Sequence, residues 1–170
     1  MKNKIIRQSL VFGLLAGVIG FLFFIGLYFL TDNPLAKRRP DVGFNLLFVG
    51  LSMWYLKKSN GGFIHFYQAF SIGFLTNIFA ALTSGLLLFI FIQWIDQTPL
   101  QTWMTQGQQL LRDQRETFDK ILNEEMYAAQ MKALTNVKPY QLFLDELMFK
   151  QVAIVGITLL GMVFRKKRPE

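Results

Sequence analysis

The sequence has no cysteine and only one histidine, His65. The first absence excludes disulfides, thiolate metal sites and cysteine nucleophiles. The second leaves a metal ion without the imidazole and thiolate partners it needs, so neither a metal nor a cofactor is expected. A lone imidazole among aromatics reads as an interfacial anchor rather than a base. No phosphate-cradling loop is present, because Gly61-Gly62 lacks the following Lys-Ser/Thr, and there is no nucleophile elbow or zincin helix. Acidic residues are scarce: 11 Asp and Glu stand against 18 Lys and Arg, a net charge of +7.

That excess is not spread as a nucleic-acid surface would spread it. Residues 96–150 carry six basic and eight acidic side chains, and the other 12 basic residues flank apolar runs. Basic flanks around apolar runs are the ordinary signal of membrane topology. With 52% apolar residues and 18 Phe in 170 residues, gathered in runs, the chain reads as one all-α membrane domain, residues 1–170.

The expected architecture is four transmembrane helices, with an extramembrane amphipathic helical hairpin between the third and fourth. The spans fall at about residues 9–30, 41–57, 69–95 and 147–164, and the insert at about 96–146. Residues 9–30 would cover roughly 33 Å as a helix, enough for a bilayer core. Gly13, Gly17 and Gly20 share a face there and predict close packing on another helix. The third span carries a small and polar stripe that includes Gly73, Asn77, Ala81, Ser84 and Gly85. Asn77 needs a partner inside a membrane, and Asn45 or a backbone carbonyl would supply it. Asp145, Glu146 and Lys150 are placed outside the membrane, on the first half of a continuous helix over residues 140–164.

At 100° per residue, Leu100, Trp103, Met104, Leu110, Leu111, Phe118, Ile121, Leu122 and Met126 gather on one side of residues 100–126. Arg112, Asp113, Glu116, Asp119, Lys120 and Glu124 take the other. Trp103, Met104, Leu111, Phe118 and Leu122 are therefore candidates for an interaction stripe. Nine basic residues flank the spans on the side of both termini, against Lys37-Arg38-Arg39 on the other. The count predicts cytoplasmic termini and a hairpin on the opposite face.

Residues 55–73, YLKKSNGGFIHFYQAFSIG, resemble the bacterial membrane-protein family catalogued as domain-of-unknown-function 4199. A basic run after the second span leads to Gly61 and Gly62, then Phe66, then Ala69-Phe70 and Gly73, as in that family. The resemblance implies four spans, a polar helical insert and a bacterial inner membrane. It implies no activity. Residues 57–85 then read as the hinge between the second and third spans.

The apolar segments 9–30, 42–56, 69–95 and 152–164 contain no Asp, Glu, Lys, Arg or His. Energised transporters usually need such groups, which argues against that class. The leading expectation is a non-enzymatic scaffold or interaction protein. It would use the insert toward a protein partner, a lipid surface or its own copy, with the lipid bilayer as its constant partner and no nucleic acid. A passive transporter or channel component for a small polar or lipid-like molecule is the alternative, and an interfacial enzyme comes third.

Overall fold

The computed structural model describes residues 2–113, 115 and 124–166. Among these residues every named element is helical: α1 (Lys2–Leu30), α2 (Pro34–Lys37), α3 (Asp41–Ser59), α4 (Phe66–Trp94), α5 (Thr98–Asp113), α6 (Glu124–Thr135), α7 (Pro139–Phe149) and α8 (Ala153–Phe164). A short 3₁₀ turn, Lys150–Val152, joins α7 to α8. Among the described residues three stretches are long and apolar enough to cross a membrane: Lys4–Leu30, Phe66–Trp94 and Pro139–Phe164. α3 is shorter and carries Asp41, Lys57 and Lys58 within its bounds.

α1 and α4 run parallel in close contact, because glycine removes the side chains between them. A Cβ on Gly13 would meet Phe79 and lie 2.8 Å from the carbonyl oxygen of Thr76. One on Gly17 would lie 2.5 Å from Thr83 Cβ and 2.8 Å from the carbonyl oxygen of Ala80. Small residues let backbones approach in this way where burial of apolar surface cannot drive association.

The chain turns between α3 and α4 on Gly61 (φ 71°) and Gly62 (φ 87°), the left-handed region that glycine enters at little cost. Gly62 N–H donates to the carbonyl of Lys57 at 2.9 Å and closes the end of α3. α4 then begins at once, with His65 N–H donating to Gln68 Oε1 at 3.1 Å. The same end of the bundle holds the start of α1 and the residues after α8: Lys4 Nζ donates to the carbonyl of Ser59 at 3.0 Å, and Ile64 pairs with Lys166.

At the other end, α3 starts at Asp41, beside Gly20 of α1 rather than beside Leu30. The connection, including α2, therefore folds back along the bundle by roughly 15 Å. Leu35 of α2 is buried there with Phe24, Leu88, Phe91, Leu100 and Leu142. A second apolar cluster near the hinge gathers Val49, Met53, Leu56, Ile72, Ala153 and Ile157. A polar layer separates the two.

The expected continuous helix over residues 140–164 is interrupted at that layer. The carbonyl of Lys150 accepts a hydrogen bond from Asn77 Nδ2 at 3.1 Å. A side chain entering the carbonyl ladder tightens the turn locally. α5 packs on α6, with Leu134 3.3 Å from where a Cβ on Gly107 would stand and Gln108 bonded to Thr135.

Candidate functional site

The polar layer is built from five elements that converge on Lys150. Its ammonium lies 2.7 Å from Ser84 Oγ of α4, 2.7 Å from Glu146 Oε1 of α7 and 3.3 Å from Asp41 Oδ2 of α3. An ammonium has three donors, and three acceptors meet it. Glu146 lies one helical turn before Lys150, so the two share a face of α7 and its 3₁₀ extension. Gly20 of α1 faces the centre: a Cβ there would stand in ordinary contact, 3.6 Å from Lys150 Nζ and 3.5 Å from Asp41 Oδ2.

Glu146 is satisfied on both oxygens. Oε1 accepts from Lys150 and from Ser84 Oγ at 2.9 Å, and Oε2 accepts from Arg38 Nη1 at 2.5 Å. Arg38 Nη2 lies 3.7 Å from Asp145 Oδ2, and Arg39 Nη2 donates to the same oxygen at 3.0 Å. The charges thus alternate along one line: Asp41, Lys150, Glu146, Arg38, Asp145, Arg39. The first four side chains are 1–7% exposed, whereas Asp145 and Arg39 are 46% and 40% exposed. Asp41 also occupies the first turn of α3, where the helix dipole favours a negative charge. The line carries no net charge, as charges withdrawn from water require.

Below this centre, Asn77 of α4 bonds the Lys150 carbonyl and receives a hydrogen bond from Asn45 Nδ2 of α3. That carbonyl can only accept, so the amide orientation of Asn77 follows, and Asn45 Oδ1 is left without a partner among the described residues. Thr76 Oγ1 lies 3.2 Å from Ser52 Oγ, and Ser9 Oγ donates to the carbonyl of Ile72 at 3.1 Å. Asn77 therefore has both kinds of partner that a buried amide was expected to find.

At its exposed end the charged line opens into a cavity of about 330 Å³ between α2, α5, α6 and α7. Arg38, Arg39 and Asp145 form its polar edge, and Leu35, Trp103, Leu134 and Val137 its apolar wall. A second groove of about 330 Å³, lined by Gly107, Leu110 and Leu111 of α5 and by Gln130 of α6, shares Ala133 and Leu134 with the first.

The residues singled out in the sequence occupy several places. Gly13, Gly17 and Gly20 face α4 or the charged centre, and Asn77, Ala81 and Ser84 lie on the buried side of α4. Gly61 and Gly62 form the hinge turn. Phe66 and Phe70 stack with ring centroids 6.1 Å apart, Ala69 is fully buried, and Gly73 receives Met53 and Ile157. Trp103 and Met104 pack on the apolar cluster of that end, and Leu111 is buried. Phe118 and Leu122 lie outside the described residues.

The charged centre itself was not foreseen, since Glu146 and Lys150 were expected in solvent. A signal existed. Tyr140, Leu144, Met148, Val152, Val155, Leu159 and Val163 are exposed and apolar at helical spacing. An outward apolar stripe on both sides of Glu146 and Lys150 turns that pair inward.

No curated protein and no solved structure matches the chain. The family profile that does match covers residues 11–167 and is described as a protein of unknown function, DUF4199. The likeness read at residues 55–73 extends over nearly the whole sequence, and the chain belongs to that family.

Proposed function

We propose that the chain is a multi-pass protein of the bacterial inner membrane, crossing it four times with both termini in the cytoplasm. α3 is the fourth crossing helix, its short length relieved by Lys57 and Lys58 reaching the headgroups. In this reading it is a non-enzymatic scaffold that works through the α5–α6 pair on the opposite face. The observation that carries the reading is the contrast between a packed interior and an open outer pair. Asp41, Lys150, Glu146 and Arg38 neutralise one another in a centre almost closed to solvent. A fully satisfied buried network of this kind rigidifies a fold. By contrast, Leu110 is 57% exposed beside the groove shared by α5 and α6. That apolar groove fits a second copy of the chain or a protein partner.

Cross-linking in native membranes, followed by purification, tests this. Leu110→Asp is expected to abolish the cross-linked oligomer or complex while the protein still inserts. An unchanged cross-linking pattern would overturn the scaffold reading. A second reading, passive passage of a small polar or lipid-like molecule, is favoured by the exposed end of the charged line at Asp145 and Arg39, which opens into the cavity. It predicts loss of flux in reconstituted vesicles for Asn77→Leu and none for Leu110→Asp.

A further inference from the structure

At the hinge end, the start of α1 and the end of α3 enclose a groove of about 490 Å³. Its lining changes character along one helix face. Lys4, Arg7 and Gln8 form the upper part, and Val11, Phe12 and Tyr55 the lower. Positions 4, 7, 8 and 11 of a helix share a side, so the order from cation to hydrocarbon is built into α1 over roughly 10 Å. Phe12 and Tyr55 close the floor, with ring centroids 5.8 Å apart.

The charge here has no carboxylate partner among the described residues. Among the described residues neither Lys4 nor Arg7 makes an ion pair. Lys4 is tethered at the rim by its bond to the Ser59 carbonyl, with Asn60 Oδ1 at 3.5 Å. Lys57 and Lys58 add positive charge at the same end. Below the groove, Leu10, Leu14 and Leu15 of α1 and Leu51 of α3 are exposed. The groove therefore opens sideways onto an apolar surface rather than only upward into water.

We propose that this groove binds one anionic phospholipid, with its phosphate on Lys4 and Arg7 and an acyl chain along Val11, Phe12 and Tyr55. A soluble anion would meet the cations and leave the lower half empty. A zwitterionic lipid would bring its own cation against Lys4 and Arg7. Basic pockets between membrane helices on the cytoplasmic side have this chemistry. The proposal rests on the reading that α1 and α3 cross a bilayer, and it is independent of what α5 and α6 bind.

Native mass spectrometry of the full chain in nonionic micelles tests it, after carbonate extraction has shown that the protein is integral to membranes. One phosphatidylglycerol per chain is expected to be retained, and phosphatidylcholine about tenfold less. Lys4→Gln/Arg7→Gln should weaken phosphatidylglycerol retention by about thirtyfold, as two cations near a lipid headgroup would. Lys57→Gln/Lys58→Gln removes the same charge outside the groove and should change retention by no more than about twofold. Equal retention of both lipids, equal loss in both double variants, or displacement by millimolar inorganic phosphate would each overturn the site. Release of the chain by carbonate would overturn the membrane reading and the site together. Retention without lipid preference would overturn the site alone.

Discussion

Two sets of charges in this protein obey opposite rules. Around Lys150, cations and carboxylates alternate and sum to zero, with the inner four almost wholly buried. At the hinge end, Lys4, Arg7, Lys57, Lys58, Arg165 and Lys166 collect, and none of them makes an ion pair among the described residues. The difference follows from solvation. A charge taken out of water must find a counter-charge and fill its hydrogen bonds, whereas an exposed one is stabilised by water and by whatever anion is nearby. The first set is consumed by its own ion pairs, and the second meets carbonyls and aromatic faces but no carboxylate among the described residues.

Removing one member of the buried set breaks this contrast most severely. Lys150→Met leaves Asp41 and Glu146 facing each other's charge, with only Arg38 to compensate. It should cost about 3–5 kcal/mol, read as a lowered unfolding midpoint in detergent. Adding Asp41→Asn should restore part of the loss. Arg39→Gln, at the exposed end of the same line, should change stability by less than about 1 kcal/mol. Equal effects of Lys150→Met and Arg39→Gln would show that burial does not set the hierarchy.

A smaller effect separates packed from open helix faces. Gly17→Leu drives a side chain into Thr83 and the Ala80 carbonyl and should cost about 1–3 kcal/mol. Gly26→Ala meets no atom within 4 Å. It should stay within about 0.5 kcal/mol in the same thermal assay.

The smallest expected effect lies at the far end of α4. Thr98 donates to Asp96 from its hydroxyl and backbone, and Tyr28 OH donates at 2.7 Å. These bonds hold the Asp96 carboxyl below its ordinary value. A depressed folded-state value adds stability that is present above the unfolded value, near pH 4, and is lost as pH falls through the folded one. Asp96→Asn should therefore flatten a slight loss of stability below about pH 4, seen by comparing unfolding midpoints at pH 3 and pH 7. A pH profile unchanged by the substitution would remove Asp96 from the account.

Much of the fold was legible because its signals are local. Gly13 and Gly17 announced a close helix contact by their spacing, and the pairing of Asn77 followed from the cost of an unsatisfied amide in an apolar setting. The hinge at Gly61 and Gly62 was readable from residue type alone. The fate of Glu146 and Lys150 was not. Read as charges they form a solvated pair; the outward apolar stripe around them points them inward, and Asp41 and Arg38, distant in sequence, complete the interior centre. The 3₁₀ turn at Lys150 was hidden for the same reason, since it depends on Asn77 arriving from α4.

By itself, the sequence determined what kind of object this is. Long apolar runs, basic flanks and an amphipathic segment follow from composition and periodicity, which each stretch carries alone. The tertiary structure decided which charges are buried, because burial belongs to a residue's neighbours and not to the residue. It paired Arg38 and Asp41 with Glu146 and Lys150, started α3 beside Gly20, and left Lys4 and Arg7 without counter-charges among the described residues, over an apolar groove. Charge neutrality in a low-dielectric interior is a condition on the whole assembly, and no single segment of the chain can state it.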